Sequence, residues 1–214
     1  MTNYLIEKWN EAHRKVLWLN ETADPRLVEF VRAYYGEVPL SERSKIKMLD
    51  LGCGAGTNSF FLSEEGFDAH GIDISEVAIR NANHVRDRIT SEDALPHVRF
   101  TVAGIQDLPF ADGTFDAAID VCGMSALHPN QIRQGVRETL RVLKPGGRLM
   151  SLVIADDCDP RLHRVDSMAY NEAGLVQVFF IAGMKGGKYR REHHIDGGGN
   201  LVSLWYLEAQ KLEA

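Results

Sequence analysis

The sequence predicts an α/β protein: a doubly wound, seven-stranded sheet, mostly parallel, with helices on both faces and an antiparallel hairpin at its C-terminal end. Three observations carry this. From Lys45 onward, short apolar runs alternate with helical stretches, the pattern of strand-helix-strand crossovers. The first of these strands breaks into a loop with glycines at 52, 54 and 56, led in by Asp50. The last two apolar runs, 175–182 and 201–209, lie on either side of a turn-rich stretch, as in a hairpin.

Two helices precede the sheet. Leu5, Trp9, His13, Val16 and Leu17 share one helical face, and Leu27, Val28, Phe30, Val31 and Tyr34 follow the start signal Asp24-Pro25. The strands are then expected at 46–51, 69–74, 98–102, 117–121 and 149–154. The crossover helices are expected at 58–65, ended by Gly66; at 76–91, started by Ser75; and at 130–143, ended by Lys144-Pro145-Gly146-Gly147. A further helix is expected over 160–173, and the Gly- and Lys/Arg-rich stretch 183–200 is expected as a loop, long for a hairpin. The chain divides into a helical cap or lid, 1–44, and a ligand-binding domain, 45–214.

At 214 residues, 44% hydrophobic and 25% charged, the composition fits one globular core with a small cap. The formal charge of -6 argues against a general nucleic-acid binder, whose affinity comes from Lys and Arg on phosphates. Cys53, Cys122 and Cys158 are odd in number and scattered, so neither a disulfide framework nor a Cys-x-x-Cys metal site is expected, and a reducing cytoplasm is. No stretch approaches the roughly 18 apolar residues of a membrane span.

Glycine adopts positive φ without a Cβ penalty and lets a ligand press on the backbone, and the helix that follows offers unpaired N–H groups. The loop therefore reads as a nucleoside-cofactor site. Its third glycine comes one residue too early for the G-x-G-x-x-G of dinucleotide folds, and no Gly-Lys-Ser/Thr follows for a P-loop.

Four motifs in order, LDLGCGAG, GIDIS, LPFADGTFDAAI and LRVLKPGGRL, make the chain resemble the class I S-adenosylmethionine-dependent methyltransferases, a Rossmann-like family, in their small-molecule branch (methyltransferase type 11/12, thiopurine/tellurite-like). The resemblance implies S-adenosyl-L-methionine as cofactor and S-adenosyl-L-homocysteine as product. It implies that Gly52, Gly54 and Gly56 wrap the methionine part, with Asp50 facing its ammonium and Asn58 beside the loop. Asp73 would accept both ribose hydroxyls, with Ile74 next to it. Where relatives carry an acid for the adenine amino group this chain has Gly104, so adenine recognition falls to the Ile105 backbone, with Gln106 or Asp107 as substitute. Asp120 resembles the acid of an Ile-Asp-x-Gly variant that completes the pocket.

His128 follows on the loop after the fourth strand, where it is open as a general base or as a helix-cap neighbour before Pro129. The expected activity is methyl transfer to an O, N or S atom of a small molecule, with a catalytically silent cofactor-binding sensor as the alternative. No metal, nucleic-acid or membrane partner is expected. The cover over the acceptor would come from the N-terminal helices, through Trp9, Trp18, Tyr34 or Tyr35, or from 183–200. There Lys185, Lys188, Arg190 and Arg191 can receive an anion or be solvated.

Overall fold

The computed structural model describes residues 3–15, 22–89, 97–159, 169–179, 184–195 and 199–212. They fall into two compact units, Met1–Ile105 and Gln106–Ala214.

The first unit begins with helices α1 (Asn3–Lys15), α2 (Pro25–Tyr35) and the short α3 (Leu40–Arg43). Asp24 caps α2, its carboxylate accepting from Arg26 N at 2.9 Å, and Leu27, Phe30 and Val31 form the buried face. Strand β1 (Lys47–Leu51), helix α4 (Thr57–Glu64), β2 (Asp68–Asp73), α5 (Glu76–Ile89) and β3 (Val98–Val102) follow. The strands lie in the order β3-β2-β1, both pairs parallel. Met48, Leu49, Leu51, Ala69 and Ile72 are fully buried, as strands covered on both faces require. Gly71 in β2 is a packing necessity: a Cβ there would meet Phe100 Cδ1 and Ser59 Oγ, each at 2.7 Å, and Cys53 Sγ at 2.9 Å.

The second unit holds β4 (Phe115–Val121), a short helical turn over Met124–Ala126, α6 (Pro129–Val142), β5 (Leu143–Ile154), α7 (Glu172–Phe179), β6 (Met184–Ile195) and β7 (Leu201–Lys211). Its strands lie in the order β4-β5-β7-β6, parallel for β4 with β5 and antiparallel thereafter. Three strands and four make the expected seven, with the antiparallel hairpin at the C-terminal end.

Two of the motifs are fastened to each other here. Arg141 on α6 donates to the carbonyls of Leu108 (2.9 Å) and Phe110 (2.7 Å), and Glu138 accepts from Leu108 N at 2.9 Å. Lys144 Nζ meets both oxygens of Asp116 at 2.7 and 2.8 Å. The Phe110 and Phe115 rings pack edge to face at 4.9 Å. The LPFADG turn is thus clamped by the end of α6.

Two expectations are corrected at the C-terminal end. Residues 175–182 are expected as a strand from their Val- and Phe-rich run, yet Glu172–Phe179 is helix α7. Leu175, Val178 and Phe179 are the buried positions, a helical spacing, and Asn171 Oδ1 accepts from Gly174 N at 2.9 Å to start the turn. The strand that pairs with β7 is instead 184–195, most of the stretch expected as a loop. Two of its cations stack on the sheet: Arg190 on Tyr206 at 4.0 Å and Arg191 on Trp205 at 4.5 Å, both rings belonging to β7. Most of the helix expected over 160–173 lies outside the described residues, as do Trp18, Val16 and Leu17.

Candidate donor site

The glycine loop leaves β1 with Gly52, Gly54 and Gly56 all at positive φ (72°, 54° and 94°). At Gly56 a Cβ would lie 2.7 Å from Phe100 Cζ, so any side chain there must displace the ring as well as take a left-handed backbone. The loop is tied back to β2 by Cys53 N donating to Ile72 O at 2.8 Å.

Two buried carboxylates flank it. Asp50, 1% exposed, sits in β1 one residue from its carboxyl end and accepts from Ser59 Oγ at 2.6 Å. Burial pushes its carboxyl up to about 6; the Ser59 hydrogen bond opposes that and the nearby Asp73 adds to it. Asp73 ends β2 and is 9% exposed. One of its oxygens accepts from Gly54 N at 3.1 Å and the other from Ser75 N at 2.8 Å. Burial raises its pKa, while those backbone donors and His13 pull it down.

Helix α1 reaches this site with residues that its apolar stripe conceals. Asn10, 6% exposed, accepts from Ser75 Oγ at 2.8 Å and from Val77 N at 3.3 Å, and so caps α5 from another helix. His13, also 6% exposed, places its Cε1 3.5 Å from where a Gly54 Cβ would be, and burial lowers its pKa against the attraction of Asp73. Sequence reasoning missed Asn10; polar side chains at 10 and 13, three apart on an apolar face, were the available signal.

The other expected residues are placed as follows. Asn58 Oδ1 accepts from Asp24 N at 3.1 Å, which ties the start of α2 to that of α4. Ala103 N donates to Asp73 O at 2.9 Å, so Gly104 and Ile105 start beside the acid, Ile105 being buried. Half-buried Ile74 directly follows Asp73. In the second unit, Gln106 is buried and its carbonyl accepts from Gln134 Nε2 at 3.0 Å, whereas Asp107 is exposed. Asp120 is fully buried, accepting from Met124 N at 2.9 Å and from Ser151 Oγ. His128 is exposed at the N-terminus of α6, its backbone N–H donating to Gln131 Oε1 at 2.9 Å.

Of the aromatics expected as a cover, Trp9 lies 6.0 Å from the His13 ring, whereas Tyr34 packs on Phe30 at 5.1 Å and Tyr35 on Phe67 at 5.7 Å.

The donor set suits a cationic nucleoside. A cation against Asp50 favours its charged form, reversing what burial does. The two Asp73 oxygens accept from different backbone N–H groups and, as a carboxylate offers about four lone pairs, keep acceptor capacity for the hydroxyls of a vicinal diol. The glycine loop supplies a surface that side chains would fill. Residues 48–147 match the family described as Methyltransferase domain.

The chain belongs to the class I S-adenosylmethionine-dependent methyltransferases, a family whose cofactor is S-adenosyl-L-methionine. It is 38% identical over 104 residues to methyltransferase GfsG of Streptomyces halstedii, covering 48% of this chain and 36% of that one. It is 32% identical over 149 residues to the 27-O-demethylrifamycin SV methyltransferase of Amycolatopsis mediterranei, 68% of this chain and 52% of that one. The chain thus spans about half or less of the length of these curated relatives. The fold matches the Burkholderia thailandensis 1,6-didemethyltoxoflavin-N1-methyltransferase, solved with its substrate and S-adenosylhomocysteine, with a TM-score of 0.74 at 19% identity over 98% of this chain and 88% of that one.

Proposed function

We propose that this protein moves the methyl group of S-adenosyl-L-methionine to an O, N or S atom of a small-molecule acceptor by in-line displacement. The observation that carries the reading is the pair of buried acids, Asp50 and Asp73, held on either side of the glycine loop. When bound, the cofactor supplies an activated methyl group on a sulfonium. The residues of the chain are left to align and to exclude water. In the proposed arrangement Asp50 neutralises the ammonium, Asp73 fixes the ribose, and Asn58, Ile74, Gly104 and Ile105 complete the walls. The α1–α3 segment, 1–44, covers the donor, supported by the Asn10 and Asn58 hydrogen bonds to α5 and α2.

His128, on the loop after β4, takes the proton where the acceptor is a hydroxyl. Cys53, Cys122 and Cys158 are free thiols, which supports a reducing, cytoplasmic setting. Among the described residues no helix is long and apolar enough to cross a membrane. Calorimetry with S-adenosylhomocysteine and transfer from labelled S-adenosylmethionine into pooled small molecules test the reading. Micromolar binding that Asp73→Ala weakens about 10- to 100-fold is expected, as for losing charge-assisted hydrogen bonds. Binding without transfer to any acceptor turns the assignment to a silent sensor; no binding at all removes it.

A further inference from the structure

The two backbone N–H groups that hold Asp73 are each backed by a side chain from helix α1. Ser75 N donates to one carboxylate oxygen at 2.8 Å, and Ser75 Oγ in turn donates to Asn10 Oδ1 at 2.8 Å. Gly54 N donates to the other oxygen at 3.1 Å, and His13 Cε1 lies 3.5 Å from where a Gly54 Cβ would be. Asn81 Nδ2 on α5 donates to the His13 carbonyl at 3.4 Å and fastens the helix in place. All of these residues belong to the Met1–Ile105 unit, which also holds the glycine loop. Asn10, Ser75 and Asp73 are all buried.

The Ser75 hydroxyl links the helix to the acid. A serine hydroxyl has one proton to donate and lone pairs with which to accept. Ser75 Oγ accepts from Ala78 N at 3.1 Å, as the cap of α5, and its proton goes to Asn10. Val77 N, donating to the same Asn10 oxygen at 3.3 Å, pins that acceptor. Without Asn10, the acceptor this network leaves to the Ser75 proton is Asp73, whose oxygen already lies 2.8 Å from the Ser75 nitrogen. A buried donor left unmatched is costly, so the proton turns to the carboxylate and occupies a lone pair there.

We propose that Asn10 is a positioning residue of the donor site: by drawing the Ser75 proton away from Asp73, it keeps that carboxylate open to the ribose hydroxyls of the cofactor. This rests on the reading of Asp73 given above. Asn10 acts through Ser75, so its loss falls on recognition of the diol and not on the nucleoside as a whole.

The test measures, by calorimetry on the full chain, affinity for S-adenosylhomocysteine and for its 2′,3′-dideoxy analogue, with the melting temperature of each variant alongside. Wild type is expected to prefer S-adenosylhomocysteine about 100-fold, as for two hydrogen bonds to a charged acceptor, and Asn10→Ala to cut that preference about tenfold. Ser75→Ala removes the competing proton and leaves the backbone N–H on Asp73, so the double variant Asn10→Ala/Ser75→Ala is expected to regain the preference. Asn10→Asp keeps an accepting oxygen and is expected to retain it, which keeps the test decisive where Asn10→Ala does not fold. A general loosening of α1 would weaken both ligands alike and worsen in the double variant. The proposal is overturned by an Asn10→Ala variant with the wild-type preference, by a double variant that does not regain it, or by an Asn10→Asp variant that loses it. A wild type that binds both ligands equally overturns it together with the ribose role of Asp73, and a wild type that binds neither removes the donor reading itself.

Discussion

Asp50→Asn is expected to make the protein more stable and a poorer ligand-binder. Asp50 is buried, with its carboxyl pushed up to about 6 from 3.8. A shift of about two units, at about 1.4 kcal/mol each, corresponds to about 3 kcal/mol against folding at neutral pH. Because the folded-state pKa lies above the unfolded one, the folded chain holds the extra proton between about pH 4 and 6. Stability contributed by this group therefore falls as pH rises through that window.

Asn keeps an oxygen to accept from Ser59 Oγ and carries no charge, so the variant should gain about 1–3 kcal/mol at pH 7, the lower figure allowing for its buried amide. The gain should roughly halve by pH 5 and disappear near pH 4. Urea unfolding at the three pH values measures it. The same variant should bind S-adenosylmethionine at least about tenfold more weakly, since the cation loses its counter-charge. A variant less stable than wild type at pH 7, or a stability difference that does not change with pH, refutes the electrostatic account of Asp50.

Two further substitutions probe the loop and the proposed base. Gly56→Ala forces a side chain onto a φ of 94° and within 2.7 Å of Phe100 Cζ, and should cost about 2–4 kcal/mol in urea unfolding; a loss under about 0.5 kcal/mol shows that the turn relaxes freely. His128→Gln should lower kcat about 100-fold with a hydroxyl acceptor while leaving cofactor affinity unchanged, and an unaltered kcat removes the histidine from the mechanism.

The parallel part of the sheet was legible in the sequence because short apolar stretches alternate with helical ones; β1 is buried along nearly its whole length, and β1, β2 and β3 begin or end within a residue or two of the expected bounds. The loop and its acids were legible because positive φ restricts three positions to glycine. The C-terminal end was not. Val176 and Phe179 favour a strand by propensity, yet burial of Leu175, Val178 and Phe179 on one face decides for a helix, a tertiary choice that overrides a local one. The cation-rich run 184–195 has a loop's composition but becomes a strand, because Tyr206 and Trp205 on the neighbouring strand give its guanidinium groups faces to stack on. Asn10 was missed for the same kind of reason: a polar residue on an apolar face signals burial, but nothing near it in sequence marks it as the cap of α5.

The clamp between Arg141, Glu138 and the 108–110 turn, with Lys144 on Asp116, accounts for two of the four motifs by which the chain is assigned to its family. These residues hold scaffold to scaffold. A match to these motifs therefore reports a shared scaffold and carries no information about the acceptor. Kinship is legible in this clamp, and the acceptor has to be read from other residues.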